Sequence, residues 1–264
     1  MGTTFNEFNM QKNKIVRYIF LFSFLLITVT VQSQVLISLL LGDKLNSDRL
    51  EFGVEGGGNF SHITNMNSGK YMSDWNLGFY FVYRLKGPWY INTGVLVKAK
   101  TGSGKLTHDD LATIGSIFAD TTMGEGDYYQ KVNTFIVPMM MRYMFKSRFY
   151  VEGGIQASLR YNAWVEYQFE NKDKSVFLRE YNKDKINPID VGPTVGFGYH
   201  FPRRTGMTVG VKYYYGLVNQ YKGISGTKNS IFYVKANIPI GAGEKAQQKR
   251  ARKAKERAAK KANR

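Results

Sequence analysis

The chain of 264 residues has no cysteine, six prolines, three histidines and, after Val31, no apolar run of eighteen residues. Without cysteine, an exported chain has to hold together without disulfides. Without a long apolar run, no helix downstream of Val31 can cross a bilayer. A membrane barrel is not excluded, because its lipid face is carried by every second residue and scarcely moves the mean hydropathy. Acidic residues are also scarce, 20 against 37 Lys and Arg. That excess is not a nucleic-acid signature. Residues 241–264 carry +8 of it and residues 1–34 carry +2, which leaves +7 for the stretch between them.

At the N-terminus, Lys12, Lys14 and Arg17 precede the apolar run Tyr18 to Val31 and then Val31-Gln-Ser33. A charged segment, a short apolar segment and a small-residue site describe a secretory signal peptide cleaved before Gln34. Met10 is a second candidate start, since Met10-Gln-Lys-Asn-Lys makes the better charged segment. The expected organisation is a signal peptide over 1–33, a barrel over 34–240 and a lysine-rich tail over 241–264.

What is abundant is alternation. From Phe149 to Asn162 the odd positions are Phe, Val, Gly, Ile, Ala, Leu and Tyr, and the even ones include Glu152, Gln156, Ser158 and Arg160. Side chains on a strand point to opposite faces in turn, so this strand has an oily face and a charged one. Eight such stretches are expected, near 50–60, 74–86, 89–101, 132–146, 148–162, 188–201, 206–219 and 229–240. The links between them alternate in length. Lys86-Gly-Pro88, Lys146-Ser-Arg148 and Pro202-Arg-Arg-Thr205 are tight, whereas 61–73, 102–131, 163–187 and 220–228 are longer. The pattern predicts an all-β, eight-stranded antiparallel up-and-down transmembrane barrel with both termini at the periplasmic side.

The charged face is expected to line the lumen as an ionic network of Glu51, Glu55, Arg84, Lys98, Arg142, Glu152, Arg160, Asp190, Lys212 and Lys235, with Lys100 beside them. A soluble lipocalin-like barrel would reverse the faces. The aromatics decide against it. Trp89, Phe149 and Tyr199 fall beside tight turns, while Trp75, Tyr161, Trp164, Tyr215 and Phe232 fall beside long links, as two interfacial girdles require. Glycines on the inner face suit a lumen filled by side chains. Pro138, which removes a ladder donor in the fourth strand, predicts a bulge.

The Ser-Gln end of the leader, the first strand Leu50-Glu-Phe-Gly-Val-Glu-Gly-Gly-Gly-Asn-Phe60 and the eight glycine-spaced strands resemble the "porin family" outer-membrane barrels of Bacteroidetes-type bacteria. These are similar to the small OmpA-like and OmpX-like barrels. The resemblance covers about residues 34–240 and implies an outer-membrane address. The basic tail departs from it by replacing a terminal aromatic residue.

No catalytic, cofactor or metal residues are expected. Gly102-Ser-Gly-Lys105 lacks the first glycine and the Ser/Thr of a phosphate loop, and no helix follows Gly56-Gly-Gly58. His108-Asp109-Asp110 reads as a solvated loop, and His62 and His200 fall at opposite barrel ends. The expected function is therefore a non-enzymatic outer-membrane barrel with a structural or surface-interaction role. A narrow porin passing ions or small solutes is the alternative. A lipid-modifying enzyme and a soluble lipocalin-like binder are more remote. Expected partners are outer-membrane lipid and, through the tail, peptidoglycan or anionic headgroups, with no nucleic acid.

Overall fold

The computed structural model describes residues 46–47, 49–68, 70–120, 125–171, 174–201 and 206–240. The expected signal peptide, the 202–205 turn and the 241–264 tail lie outside them. The strands are β1 (Leu50–Ile63), β2 (Met72–Arg84), β3 (Trp89–Ser103), β4 (Asp127–Met144), β5 (Phe149–Asn171), β6 (Lys174–Tyr181), β7 (Ile189–His200), β8 (Thr208–Tyr215) and β9 (Asn229–Pro239). One helix, α1 (His108–Thr113), lies between β3 and β4.

All but β6 form a ring. β1 pairs with β2 and onward to β5, which pairs with β7, and β9 returns to β1. All pairings are antiparallel, and the registers run continuously enough that each ring strand has two ladder neighbours. Closure is what removes open edges, the condition for β-structure in lipid. The β2–β3 and β4–β5 links are tight turns, and β1 begins and β9 ends at that same end of the ring.

One face of the ring, the outward one, is almost wholly apolar. Leu77, Val137, Ile155, Val195, Phe197, Val234 and Ile238 are all at least 40% exposed. Exposed on the same outward belt, they would aggregate in water, whereas lipid is their matching solvent. The ring's interior instead buries Glu55, Arg142, Glu152, Asp190, Lys212 and Lys235. Inner-face glycines make room for large inner side chains. A methyl group added at Gly198 or Gly210 would overlap the Tyr150 hydroxyl.

Two bulges reset the alternation. In β3, Val97 and Lys98 together oppose Phe135 of β4, and both are exposed. Leu96 and Ala99 on either side are both buried. Lys98 therefore lies on the outer face, not in the lumen, because the extra residue of a bulge shifts the period-two pattern by one. Lys100 turns outward with it. In β5, Asn162 pairs with Asn133 but Arg160 pairs with Thr134, leaving Tyr161 as the extra residue. Pro138 is not a bulge. It pairs in register with Gln156 of β5, and opposite β3 the ladder lapses only between Thr93 and Leu96, with the same register on both sides. The missing N–H costs one rung, and the Thr93 hydroxyl compensates by donating to the Pro138 carbonyl at 2.8 Å.

The long links hold more structure than their polar composition predicts. β5 continues to Asn171 and folds back as β6, pairing from Trp164–Tyr181 to Asn171–Lys174. The stretch expected as a 163–187 loop is therefore mostly a hairpin standing past the ring. Its Val, Phe, Leu, Trp and Tyr content suits strands, but its charges disguise it. α1 starts at a capping box. The Thr107 hydroxyl accepts from the Asp110 N–H at 3.2 Å, and the Asp110 carboxylate accepts from the Thr107 N–H at 2.9 Å. The same carboxylate accepts from the Asn67 N–H at 2.6 Å, tying α1 to the β1–β2 link.

Candidate functional site

The lumen is filled in layers. Nearest the tight turns, the Tyr80 hydroxyl donates to Glu51 at 2.8 Å. Above it, Glu152 is the centre of a cluster drawn from four strands. It accepts from Arg142 Nε at 2.9 Å, Lys235 Nζ at 2.5 Å and Asn92 Nδ2 at 3.0 Å. Arg142 Nη2 lies a further 2.7 Å from the same carboxylate, and Lys235 also approaches Glu55 at 3.9 Å. The Arg142 guanidinium stacks 4.1 Å from the Tyr150 ring centre. Lys212 is 1% exposed and places its ammonium 4.4 Å over the Tyr233 ring, which desolvated cations favour. Tyr233 in turn accepts from Gln156 at 3.1 Å.

Toward the long links come Leu96, Ile136, Tyr214 and Ile231 as an apolar layer. Asp190 lies close by, accepting from Asn229 Nδ2 at 2.8 Å. Next is an amide node, where the Gln130 carbonyl oxygen accepts from the Tyr221 hydroxyl at 2.9 Å and from Asn182 Nδ2 at 2.7 Å. The mouth is then shut by a dry cluster. Leu111, Ile114 and Phe118 from the α1 segment pack with Ile63, Tyr128, Val165, Ile186 and Tyr221. Burying these side chains drives the link inward, since each stabilises by roughly 1.5–3 kcal/mol when removed from water.

Of the expected network, Glu55, Arg142, Glu152 and Lys235 come together, with Lys212 one layer away. Glu51 and Arg84 lie at the tight-turn mouth, Arg84 exposed. Asp190 accepts from the Asn229 side-chain amide and the Val218 N–H instead of from a cation. Arg160 is not joined to Glu152. It sits near the opposite mouth, with Nε donating to the Asn187 carbonyl at 3.4 Å. Lys98 belongs to the outer girdle, its ammonium 3.7 Å over the Trp75 ring. The tyrosines Tyr80, Tyr150, Tyr214 and Tyr233 were overlooked in the sequence because they are aromatic, yet their even or odd placement beside the charged positions marks them as inner.

Within the girdles neighbouring rings touch in small groups. At the tight turns Trp89 meets Tyr143 at 4.9 Å, Phe149 meets Tyr199 at 5.0 Å and Tyr199 meets Phe201 at 4.8 Å. At the other end Phe135 meets Tyr161 at 4.8 Å and Phe60 meets Phe232 at 6.5 Å. Trp75 and Tyr215 are exposed there. Trp164 is the exception at 6% exposure. It donates to Glu166 at 2.9 Å beneath Arg179 and Tyr181, because the hairpin folds over it.

That Glu166 lies seven residues past the last pair of β5 with β7, Leu159–Ile189, where β5 runs between the start of β4 and β6. Burial alone would raise its carboxyl. Bonds from Lys131 at 2.6 Å, Gln168, Trp164 and Arg179 at 2.6 Å outweigh burial and hold it at about 2.

Residues 32–221 match the family described as the outer membrane protein beta-barrel domain. No curated protein matches the chain. Among solved structures, Ail of Yersinia pestis, crystallised with the heparin analogue sucrose octasulfate, is 11% identical with a TM-score of 0.36, covering 72% of this chain and 99% of Ail. Neisserial surface protein A is 10% identical with a TM-score of 0.36, covering 71% and 96%. OprG from Pseudomonas aeruginosa is 11% identical with a TM-score of 0.32, covering 72% and 92%. Likeness at that level carries no argument about partners. The family match spans most of the chain, and the chain belongs to the outer membrane protein β-barrel family.

Proposed function

We propose that this outer-membrane barrel is a closed structural scaffold that presents its long-link end outside the cell as an interaction surface. The observation that carries the reading is the dry cluster of Leu111, Ile114 and Phe118 across that mouth, with the Glu152 cluster filling the lumen below it. An eight-stranded barrel is narrow enough for side chains to fill, whereas open water channels belong to barrels of about sixteen strands. The narrow-porin reading requires a path through both layers. With three carboxylates (Glu55, Glu152, Asp190) against three cations (Arg142, Lys212, Lys235) buried in the ring, such a pore would carry little charge preference. No residue is assigned a catalytic role.

The termini, and with them the signal peptide at 1–33 and the tail at 241–264, belong on the periplasmic side in this reading. Tight turns on that side and longer links outside are the usual arrangement. The tail's ten Lys and Arg against two Glu suit peptidoglycan carboxylates or anionic headgroups. The first-strand motif and the Ser-Gln leader end favour the Bacteroidetes-type porin group within the family. Single-channel recording in planar bilayers tests the central point. A quiet membrane is expected, and reproducible conductance steps from purified protein would replace the scaffold with the porin.

A further inference from the structure

At the tight-turn end the lumen opens into a cleft of about 290 Å³, lined from six strands and the residues just before β1. Its charged lining is Arg49, Arg84 and Arg142 against a single carboxylate, Glu51, with the His200 imidazole beside them. Two of these groups are already engaged: Arg142 by Glu152, and Glu51 by the Tyr80 hydroxyl. Arg49 and Arg84 are exposed, and among the described residues neither has an ion-pair partner. They are held side by side, since the Arg84 N–H donates to the Arg49 carbonyl at 2.7 Å. On the wall formed by β7 and β8, Thr208 pairs with His200. Thr208 is 4% exposed, and among the described residues its hydroxyl has no hydrogen-bond partner. A buried hydroxyl left unpaired beside a cation-lined cleft points to a ligand that accepts from it.

We propose that this mouth binds a phosphate group, held by the Arg49 and Arg84 guanidiniums with His200 and the Thr208 hydroxyl as further donors. Donors arrive from β1–β2 and from β7–β8 and converge on one anion. A phosphomonoester offers them three free oxygens and a headgroup phosphodiester two, and either matches the guanidinium fork. The neighbouring turns Lys86-Gly-Pro88 and Lys146-Ser-Arg148 contain cations and no acid, which steers anions to this end. The phosphate is carried either by a lipid headgroup of the adjoining leaflet or by a soluble phosphomonoester. The site stands whichever way the barrel faces.

Phosphorus NMR on the full-length barrel separates the sources. In maltoside detergent, inorganic phosphate and glycerol phosphate are titrated in. In nanodiscs, a minor fraction of phosphatidylglycerol is added to phosphatidylcholine. Saturable broadening in the first arm assigns a soluble ligand, and broadening of phosphatidylglycerol alone assigns a headgroup. The double variant Arg49→Gln/Arg84→Gln, checked for an unchanged heat-dependent gel shift, is expected to bind about tenfold more weakly. Lys222→Gln, exposed in the β8–β9 link at the other end of the ring, is expected to bind as wild type. Equal broadening in wild type and double variant, or no saturable broadening in either arm, overturns the site.

Discussion

Glu152 is 4% exposed and carries Arg142, Lys235 and Asn92 on its two oxygens. A buried pair contributes little net stability against well-packed apolar residues, but removing one member leaves the other charge stranded. Glu152→Gln would strand two cations, and a loss of about 3–5 kcal/mol is expected in urea unfolding from lipid vesicles. Val211→Ala, on the outer wall opposite Phe197, leaves no charge unpaired and should cost far less. Equal midpoints for the two variants would contradict the assignment of faces. Lys98 shows why parity has to be read locally. Its position in the alternation is inner, and one inserted residue beside it makes it a girdle residue over Trp75.

At the scale of elements, the β5–β6 hairpin and α1 are the parts that composition hid. The hairpin is held by Glu166, whose carboxyl is depressed to about 2 against an ordinary value of 4.5. A group with a lowered folded pKa stabilises above its unfolded value, and that contribution is lost as pH falls toward the folded one. The hairpin should therefore hold at pH 5 and above and loosen between about pH 4.5 and 2. With Trp75 and Trp89 replaced by Phe, Trp164 fluorescence should report that transition, and Glu166→Gln should remove it. A pH-independent signal in the unmutated hairpin would count against the Glu166 clamp. The helix was legible in part: Thr107 followed by Asp110 is a capping spacing. Its place in the mouth was not, because Leu111, Ile114 and Phe118 acquire their partners from β1, β4, β5 and the β6–β7 and β8–β9 links. Asp110→Ala removes the carboxylate half of the capping box and the Asn67 bond, a cost of about 1–2 kcal/mol. Faster amide hydrogen exchange across 108–118 is expected, with an intact ring. Exchange identical to wild type would show that the Asp110 carboxylate is not what holds α1 over the mouth.

For the whole molecule, the ring is what lipid selects. A closed antiparallel ladder leaves no backbone group of the ring strands for the solvent to satisfy, so unfolding it in detergent needs heat. Unboiled protein from outer-membrane fractions should migrate differently from boiled protein in SDS gels. Deleting 241–264 should leave the shift intact, since β9 ends at Pro239. Wild-type protein found in the soluble periplasm with no such shift would dismiss the membrane reading.

The eight ring strands, the tight turns between them, the two faces and most of the girdles were set by the sequence itself, because each is a local property of the alternation and its punctuation. A residue on a strand chooses its face from its neighbours two positions away, whatever the rest of the chain does. Tertiary structure alone decided which inner residues meet. Glu152 finds Lys235 across 83 positions, whereas Arg160, on the same strand and face, ends at the opposite mouth beside Asn187. That outcome depends on register around a closed ring, to which bulges at Val97-Lys98 and Tyr161 each contribute a step. The shut mouth was decided the same way. Its residues lie in links that read as polar loops, and they become a core only where the ring gives them something to cover.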